Sequence, residues 1–234
     1  MKKLFLLISL VASLTVSAQD IQLHYDFGRN IYTGEEAGRS KVTVTLEQFK
    51  ADKWGSWYYF VDVDLSSHFT ESAYTEISRE FNLGKQSPFA LHAEYDGGLS
   101  RTNSFQQAGL IGAAYNGHSA DFSKTWSIQL MYKQYFKSYD YTHAYASAQL
   151  TGVWGLSFLQ KKLTFSGFID FWRGENGSNG HGQLVILSEP QLWYNFTEHF
   201  SVGTEWEISD NFVYNTYNDK SFFWNPTLAV KWNF

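Results

Sequence analysis

Acidic side chains alternate with apolar ones in several segments of this sequence. In WYYFVDVDL (57–65) two aspartates alternate with valines, and FALHAEYD (89–96) follows a similar pattern. A period of two places alternate side chains on opposite faces of a β-strand. Carboxylates collected on one face favour cations over anions and accept hydrogen bonds from hydroxyl groups. This pattern gives a polar face whose candidate solute contacts are Glu47, Tyr58, Phe60, Asp62, Asp64, Glu76, Glu80, His92, Glu94, Asp96, Asp170, Glu189 and Glu205.

Aromatic rings share this polar face with the carboxylates. Tyr58 and Phe60 have the same parity as the acids of their strand. Rings offer surfaces for stacking, and carboxylates beside them bind the polar groups of a solute. For any one acid taken alone, an internal ion pair with Arg or Lys is the alternative interpretation. Further members of the same face are Lys133, Trp172, Gln191 and Glu207.

Two shorter patterns are weaker candidates for chemistry. Asp62 and Asp64 share a face and could hold a metal, but the sequence around them lacks the further ligands of a metal-binding loop. His118 and Ser119 are neighbours in sequence, whereas a nucleophile and its base meet in space. We therefore expect no metal site, no cofactor and no catalytic residue.

The composition is rich in aromatic residues and lacks cysteine. Aromatic residues make up 19% of the 234 positions, with 9 Trp, 15 Tyr and 20 Phe. Because the sequence has no cysteine, disulfide bonds, a common means of stabilising secreted domains, are excluded. The net charge of −5 without a basic run argues against binding to nucleic acid.

Alternation recurs along the chain and predicts an all-β fold. No segment shows an apolar stripe with the helical period of 3.6 residues. Arg79 interrupts an otherwise apolar face, so a bulge or a register error is expected near it. The predicted strands are 21–27, 42–47, 57–65, 73–83, 89–96, 105–115, 125–136, 144–154, 163–172, 183–196, 200–209 and 222–234.

The connections between these strands alternate between long and short. This asymmetry is typical of a transmembrane antiparallel up-and-down β-barrel in the bacterial outer membrane, and an even count of about twelve strands places both termini in the periplasm. A secreted soluble barrel or sandwich is the alternative, but the excess of rings favours a membrane barrel. The long connections are 29–40, 174–182 and 210–221, the short ones are 52–55, 84–87 and 197–199, and 116–124 departs from the rule.

A membrane barrel also explains the rings and the two ends of the sequence. Tryptophan and tyrosine collect where lipid meets headgroups. Residues 1–18 have the basic start, apolar run and small residues of a secretory signal peptide, which leaves residues 19–234 for the barrel. The last strand ends at Phe234 and resembles the C-terminal signal that the barrel-assembly machinery reads. The residues expected in aromatic girdles are Trp54, Trp57, Tyr58, Trp193, Tyr194, Trp224 and Trp232.

The stretch VTLEQFKADKWGSWYYFVDVDLSS (44–67), followed by YTEISREFNLGK (74–85), resembles the nucleoside-specific channel-forming porins of Gram-negative bacteria, the Tsx-like family. SGFIDFWRG and the closing LAVKWNF are similar to later parts of that family. The chain also resembles a small family of uncharacterised outer-membrane barrels. The resemblance implies a twelve-stranded barrel with a narrow lumen that passes nucleosides.

Three functions are compatible with these patterns. The first is a channel for passive diffusion of small polar solutes, with nucleosides as the implied solute. The second is a structural or adhesion barrel whose lumen is filled by its own side chains. The third is a small barrel enzyme that acts on lipid. The first is favoured because aromatic and acidic residues share the inward face. Its expected partners are outer-membrane lipid and the solute.

Overall fold

Strands make up most of the chain in the computed structural model, which describes residues 20–67, 69–85, 87–140, 142–176, 182–212 and 221–234. The proposed signal peptide lies outside these residues. The elements are β1 (Asp20–Asp26), α1 (Gly28–Ile31), β2 (Val42–Asp52), β3 (Gly55–Ser66), β4 (Phe69–Asn82), β5 (Phe89–Ser100), β6 (Ala108–His118), β7 (Lys124–Tyr135), β8 (Tyr145–Phe158), β9 (Leu163–Asn176), β10 (Gly182–Ser188), β11 (Gln191–Asn195), β12 (Phe200–Asp210) and β13 (Phe222–Asn233).

The strands close into an antiparallel ring. From β1 to β9 each strand pairs with the next, β12 pairs with β13, and β1 pairs with both β2 and β13. Strands β10 and β11 both lie between β9 and β12, so the pair fills one position of a twelve-position barrel. The predicted up-and-down barrel is therefore confirmed. No helix among the described residues is long and apolar enough to cross a membrane.

Glu189 and Pro190 divide the predicted strand 183–196 into β10 and β11. Proline has no N–H group and cannot donate to a neighbouring strand. The break is held on both sides by backbone hydrogen bonds: Glu189 N donates to Phe168 O at 3.2 Å, and Trp206 N donates to Pro190 O at 3.0 Å. The interruption therefore leaves the ring closed.

Tight turns lie at one end of the barrel and most of the long connections at the other. At the tight end β6 continues to His118 and β7 begins at Lys124, so the predicted exception at 116–124 is a short turn. Asp20 pairs with Asn233, which places both ends of the described barrel there too. At the other end residues 27–41 form the longest fully described connection, whereas 177–181 and 213–220 lie outside the described residues.

The two faces of each strand differ in the way that the sequence predicts. In β13, Trp224, Leu228 and Trp232 are exposed, whereas Phe223 and Asn225 on the other face are completely buried. A closed barrel buries its inner face, so the exposed apolar face is the outer one. A continuous apolar outer surface of this kind is the lipid-facing band of a membrane barrel.

Two of the rings expected in the outer girdles lie inside instead. Trp57, Tyr194 and Trp232 are exposed on the outer face as predicted. Trp193 is completely buried against inward residues of β1 and β13. Tyr58 pairs with Ser78 in the row of inward side chains. Tryptophan and tyrosine are common at membrane interfaces. The alternation of side chains along their strands, however, points these two rings into the lumen.

Arg79 lies on the outer face without a bulge. Pairing of β4 with β5 is continuous from Ser72 to Asn82, and the irregularity of this region lies at Asp64/Leu65 in β3. The Arg79 guanidinium donates to Asp52 Oδ1 at 2.9 Å and lies between the rings of Trp57 and Phe81, 5.0 and 4.8 Å from their centres. An ion pair and two cation–π contacts therefore shield this charge near the tight-turn end.

Val61 and Asp62 offer a matched test of the two faces at the middle of β3. We predict that Val61→Arg lowers the free energy of unfolding by about 2–4 kcal/mol, the cost of Arg at the midplane of a bilayer. Asp62→Asn should change it little, because Asp62 points inward. Urea unfolding of the barrel in lipid vesicles, followed by tryptophan fluorescence, measures both. Equal losses from the two variants would contradict the register of β3.

Candidate functional site

The inward face of the barrel collects the acidic and aromatic residues that the sequence singles out. Side chains that are paired across neighbouring strands lie on the same face. One such row runs from Glu47 through Phe60 and Glu76 to Asp96. Other rows place Tyr58, Asp62, Asp64, Glu80, His92, Glu94, Asp170 and Glu205 on this face, and Glu189 is at the break between β10 and β11.

Contacts between strands that are not neighbours confirm which face is the inner one. Lys133 Nζ in β7 lies 3.0 Å from Asp96 Oδ2 in β5. Gln129, also in β7, donates to Glu80 in β4 at 3.5 Å. The ring centre of His24 in β1 lies 6.0 Å from that of Trp193 in β11. Such contacts span the inside of a barrel and cannot form on its outer surface.

Negative charge dominates this inner face. The carboxylates of Asp62 and Glu47 are close enough to Glu205 on another part of the wall to interact electrostatically, and Asp62 also interacts with Glu189. Among the described residues, the cationic side chains that contact this acidic interior are Lys133, Lys231 and Arg39. The interior therefore has an excess of acidic groups over cations.

Neutral donors, rather than cations, hold most of the predicted acids. Asp62 accepts from Thr45 Oγ1 at 2.5 Å, and Glu205 accepts from Gln191 at 2.6 Å. Asp170 accepts a hydrogen bond from the Thr151 hydroxyl. Neutral donors orient a carboxylate without cancelling its charge.

Asp62 and Asp64 do not meet a third potential metal ligand among the described residues. Asp64 instead accepts hydrogen bonds from Thr43 and Ser72, both at 2.7 Å. A different triad, Glu76, Glu94 and Asp96, brings three carboxylate oxygens within 4.8 Å of one another. The ammonium group of Lys133 pairs with Asp96 and supplies positive charge beside this triad.

His92 links two acids on the same inner wall, near the tight-turn end of the barrel. Its Nε2 lies 3.0 Å from Glu94 Oε2, and its Nδ1 lies 3.4 Å from Glu80 Oε1. Asn116 donates to the other oxygen of Glu80 at 2.7 Å. His92 is almost fully buried, so it serves as an internal bridge between the acids rather than as an open ligand.

A loop at the long-connection end folds against the inner wall. Arg39 donates two hydrogen bonds to the Glu207 carboxylate, at 3.1 and 2.9 Å, and one to Asp26 at 3.0 Å. Two parallel bonds to one carboxylate are the strongest arrangement open to an arginine. Asn225 donates to both Glu36 and Glu207 at 3.0 Å. We call Asp26, Glu36, Arg39, Glu207 and Asn225 the clasp.

The loop fits closely against β13. Gly28 is needed there, because a Cβ at this position would lie 2.3 Å from Asn225 Oδ1. The ring of Tyr32 meets that of Phe223 edge to face, with centres 5.1 Å apart. Burial raises the pKa of Glu36, and the nearby charge of Arg39 opposes this shift.

A family model places the chain among its relatives. The model, described as a domain of unknown function (DUF5020), matches residues 18–234. The chain belongs to the DUF5020 family. No curated protein matches this DUF5020 chain.

Solved porins share the fold of the DUF5020 chain. The NanC porin is 13% identical, with a TM-score of 0.57 and coverage of 92% of this chain and 98% of that one. The KdgM porin, solved in complex with disordered oligogalacturonate, is 13% identical with a TM-score of 0.51 and the same coverage, 92% and 98%. At this identity the likeness establishes the fold: a barrel of the outer-membrane porin type. The Tsx-like resemblance stays a prediction.

Sequence reasoning missed several inner residues of the DUF5020 barrel. Tyr74 could have been found, because it has the parity of Glu76 in the same strand. The helix α1 and the contacts of Glu36 and Arg39 leave no periodic signal, since they join a loop to distant strands. His118 and Ser119, which the sequence offers only as a weak candidate for chemistry, lie at a turn. Ser119 Oγ donates to Asp121 at 2.6 Å, and hydrogen bonds from Ser119 and Ser123 lower the pKa of Asp121 to about 2.

The clasp can be tested by proteolysis at Tyr32. We predict that Arg39→Gln increases cleavage after Tyr32 by chymotrypsin about tenfold or more, because the loop loses charge-assisted bonds to Asp26 and Glu207. Cleavage of the barrel in lipid vesicles, followed by gel electrophoresis, measures the rate.

The matched control is Arg29→Gln, which removes an exposed arginine from the same loop. It should leave the cleavage rate unchanged. An Arg39→Gln barrel that is cut no faster than this control would show that the clasp does not hold the loop.

Proposed function

We propose that this protein is an outer-membrane channel through which small polar solutes diffuse passively. The observation that carries the proposal is an acidic and aromatic inner face inside a closed barrel with an apolar exterior. Lipid solvates the exterior, and the polar interior offers a path that needs no energy coupling. Export by the predicted leader and recognition of the Phe234 strand by the assembly machinery belong to the same proposal.

Partial exposure of the inner acids supports an open lumen. The side chain of Glu205 is 20% exposed although it points inward, and its hydrogen-bond donor Gln191 is neutral. Carboxylates that were sealed inside packed protein would have to be neutralised or paired. A lumen that holds water lets them stay charged.

A filled barrel with a structural role is the second candidate. It is favoured by the wall formed by β11, β12, β13 and β1, where Trp193, Phe223 and Gln22 are almost completely buried. Steady single-channel current in a planar bilayer separates the two candidates, because a barrel blocked by its own side chains carries none.

The acidic interior limits the solutes that the channel would accept. The KdgM porin was solved with oligogalacturonate, an anionic sugar polymer. Carboxylates such as Asp62, Glu76 and Glu205 would repel such a chain. We therefore propose neutral and cationic solutes for this barrel.

Ion preference provides the first test of the channel. In a KCl gradient we expect a reversal potential that shows preference for K⁺ over Cl⁻. Asp62→Asn or Glu205→Gln should lower the permeability ratio by up to about fivefold, since a unit charge about 4 Å from an ion contributes about 1 kcal/mol even in water. Glu198→Gln is the control, because Glu198 is an exposed acid in a tight turn. A ratio that is equal in all variants would contradict an acidic conduction path.

Nucleosides are the specific solute that the Tsx-like resemblance implies. A channel specific for nucleosides would be blocked by adenosine at millimolar concentration more strongly than by a neutral hexose such as glucose. Single-channel recording in the presence of each solute measures this difference. Equal effects of the two solutes would contradict nucleoside specificity but would not contradict the proposed channel function.

A further inference from the structure

Four aromatic rings form a continuous row along one wall of the lumen. The ring centres of Tyr58 and Phe60 are 6.2 Å apart, those of Phe60 and Tyr74 are 6.0 Å apart, and those of Tyr74 and Phe105 are 6.2 Å apart. Tyr58 lies in the half of β3 nearer the tight turns, and Phe105 follows β5 at the opposite end. We call this row the aromatic track.

Phe105 places the outer end of the track at the mouth of the barrel. Its backbone N–H donates to Gly98 O at 2.9 Å, which draws the connection between β5 and β6 against the inner wall. A Cβ at Gly98 would lie 2.6 Å from the Phe105 ring, so glycine is required for this approach. Phe105 keeps 38% of its exposure and is available to a solute that enters.

Carboxylates lie beside the aromatic track from the mouth of the barrel to its middle. The Tyr74 hydroxyl donates to Glu76 Oε1 at 2.9 Å, and Tyr74 pairs directly with Asp62 across the strands. Phe60 pairs with Glu47 on one side and with Glu76 on the other. Phe60 and Tyr74 therefore each have acids within reach.

The rings are tilted against one another rather than parallel. The angles between successive ring planes are 54°, 48° and 61°. Parallel rings would be needed to enclose a flat base from both faces. Tilted faces suit the C–H groups of a sugar ring and positive charges, which an aromatic face attracts.

We propose that the aromatic track is a binding path for sugars that carry a free amino group. The sugar ring packs on the tilted aromatic faces, and its ammonium group alternates between those faces and the carboxylates Asp62 and Glu76. The hydroxyl groups donate to the same acids. The inference rests on the proposed channel function and names the solute class that such a lumen would take.

Blocking of the ion current by single hexoses tests the track at constant ring size. Glucosamine is cationic at neutral pH, N-acetylglucosamine is neutral, and galacturonate is anionic. We expect glucosamine to interrupt the current most often and longest, N-acetylglucosamine less, and galacturonate not at all. Adenosine forms a fourth arm, and stronger block by adenosine than by glucosamine would overturn the assignment in favour of a nucleoside path.

Variants of the track separate binding from conduction. Replacing both Phe60 and Tyr74 by Ala should weaken the glucosamine block about tenfold relative to the variant's own KCl current. Phe60→Tyr, which retains the ring, should retain the block. The control is Tyr95→Ala, which removes an exposed ring from the outer face of β5. A block that survives the double replacement would overturn the proposal.

Direct binding distinguishes failure of the track from failure of the channel. Titration calorimetry of glucosamine into the detergent-solubilised barrel measures the track without any current. Binding that disappears in the Phe60/Tyr74 double variant, in a barrel that carries no current, would support the track and contradict the channel. Steady current without glucosamine binding or block would overturn the track and leave the channel intact.

Discussion

Closure of the ring through β1 is the constraint on which the rest of the structure depends. This strand of 7 residues pairs with β2 on one side and with β13 on the other. In hydrocarbon an unpaired strand edge would leave N–H and C=O groups without partners, so an open sheet could not be solvated there. Once the ring is closed, one alternation along each strand creates both an apolar exterior and an acidic interior. The lipid-facing band and the candidate site therefore both follow from the same alternation of side chains.

The interior shows how a barrel can concentrate acids without matching each with a cation. Threonine, glutamine and tyrosine side chains donate to Asp62, Glu205 and Glu76. These neutral bonds fix the carboxylates but do not offset their mutual repulsion, which favours a state with water or a cation between them. Lys133 and Arg39 relieve the repulsion at two places, beside Asp96 and beside Glu207. An acidic lumen of this kind favours cations over anions.

The alternation of side chains along each strand was sufficient to predict which acids point inward, because a side chain on a strand can point to only one of two faces. Glu47 and Asp62 follow directly from their strands, and the ring of strands follows from the loop pattern. Parity could not predict the clasp, since Arg39 and Glu207 are 168 positions apart and meet only after the barrel has closed. The sequence predicts the wrong face for Trp193 because an indole suits both a lipid interface and a polar interior. The irregularity predicted at Arg79 is absent because rings and an acid surround this cation and allow it to remain on the outer face.

The clasp and the aromatic track occupy different sectors of the wall. The clasp joins the first loop to β1, β12 and β13, whereas the track follows β3, β4 and the residues after β5. The folded loop therefore covers the inner wall in one sector, whereas Phe105 is exposed in another. In the proposed channel, a solute that enters would meet this ring first and the deeper carboxylates afterwards. Weak contacts with the ring would then hold the solute before charged groups replace its hydration shell, so that binding and release along the path could both be fast.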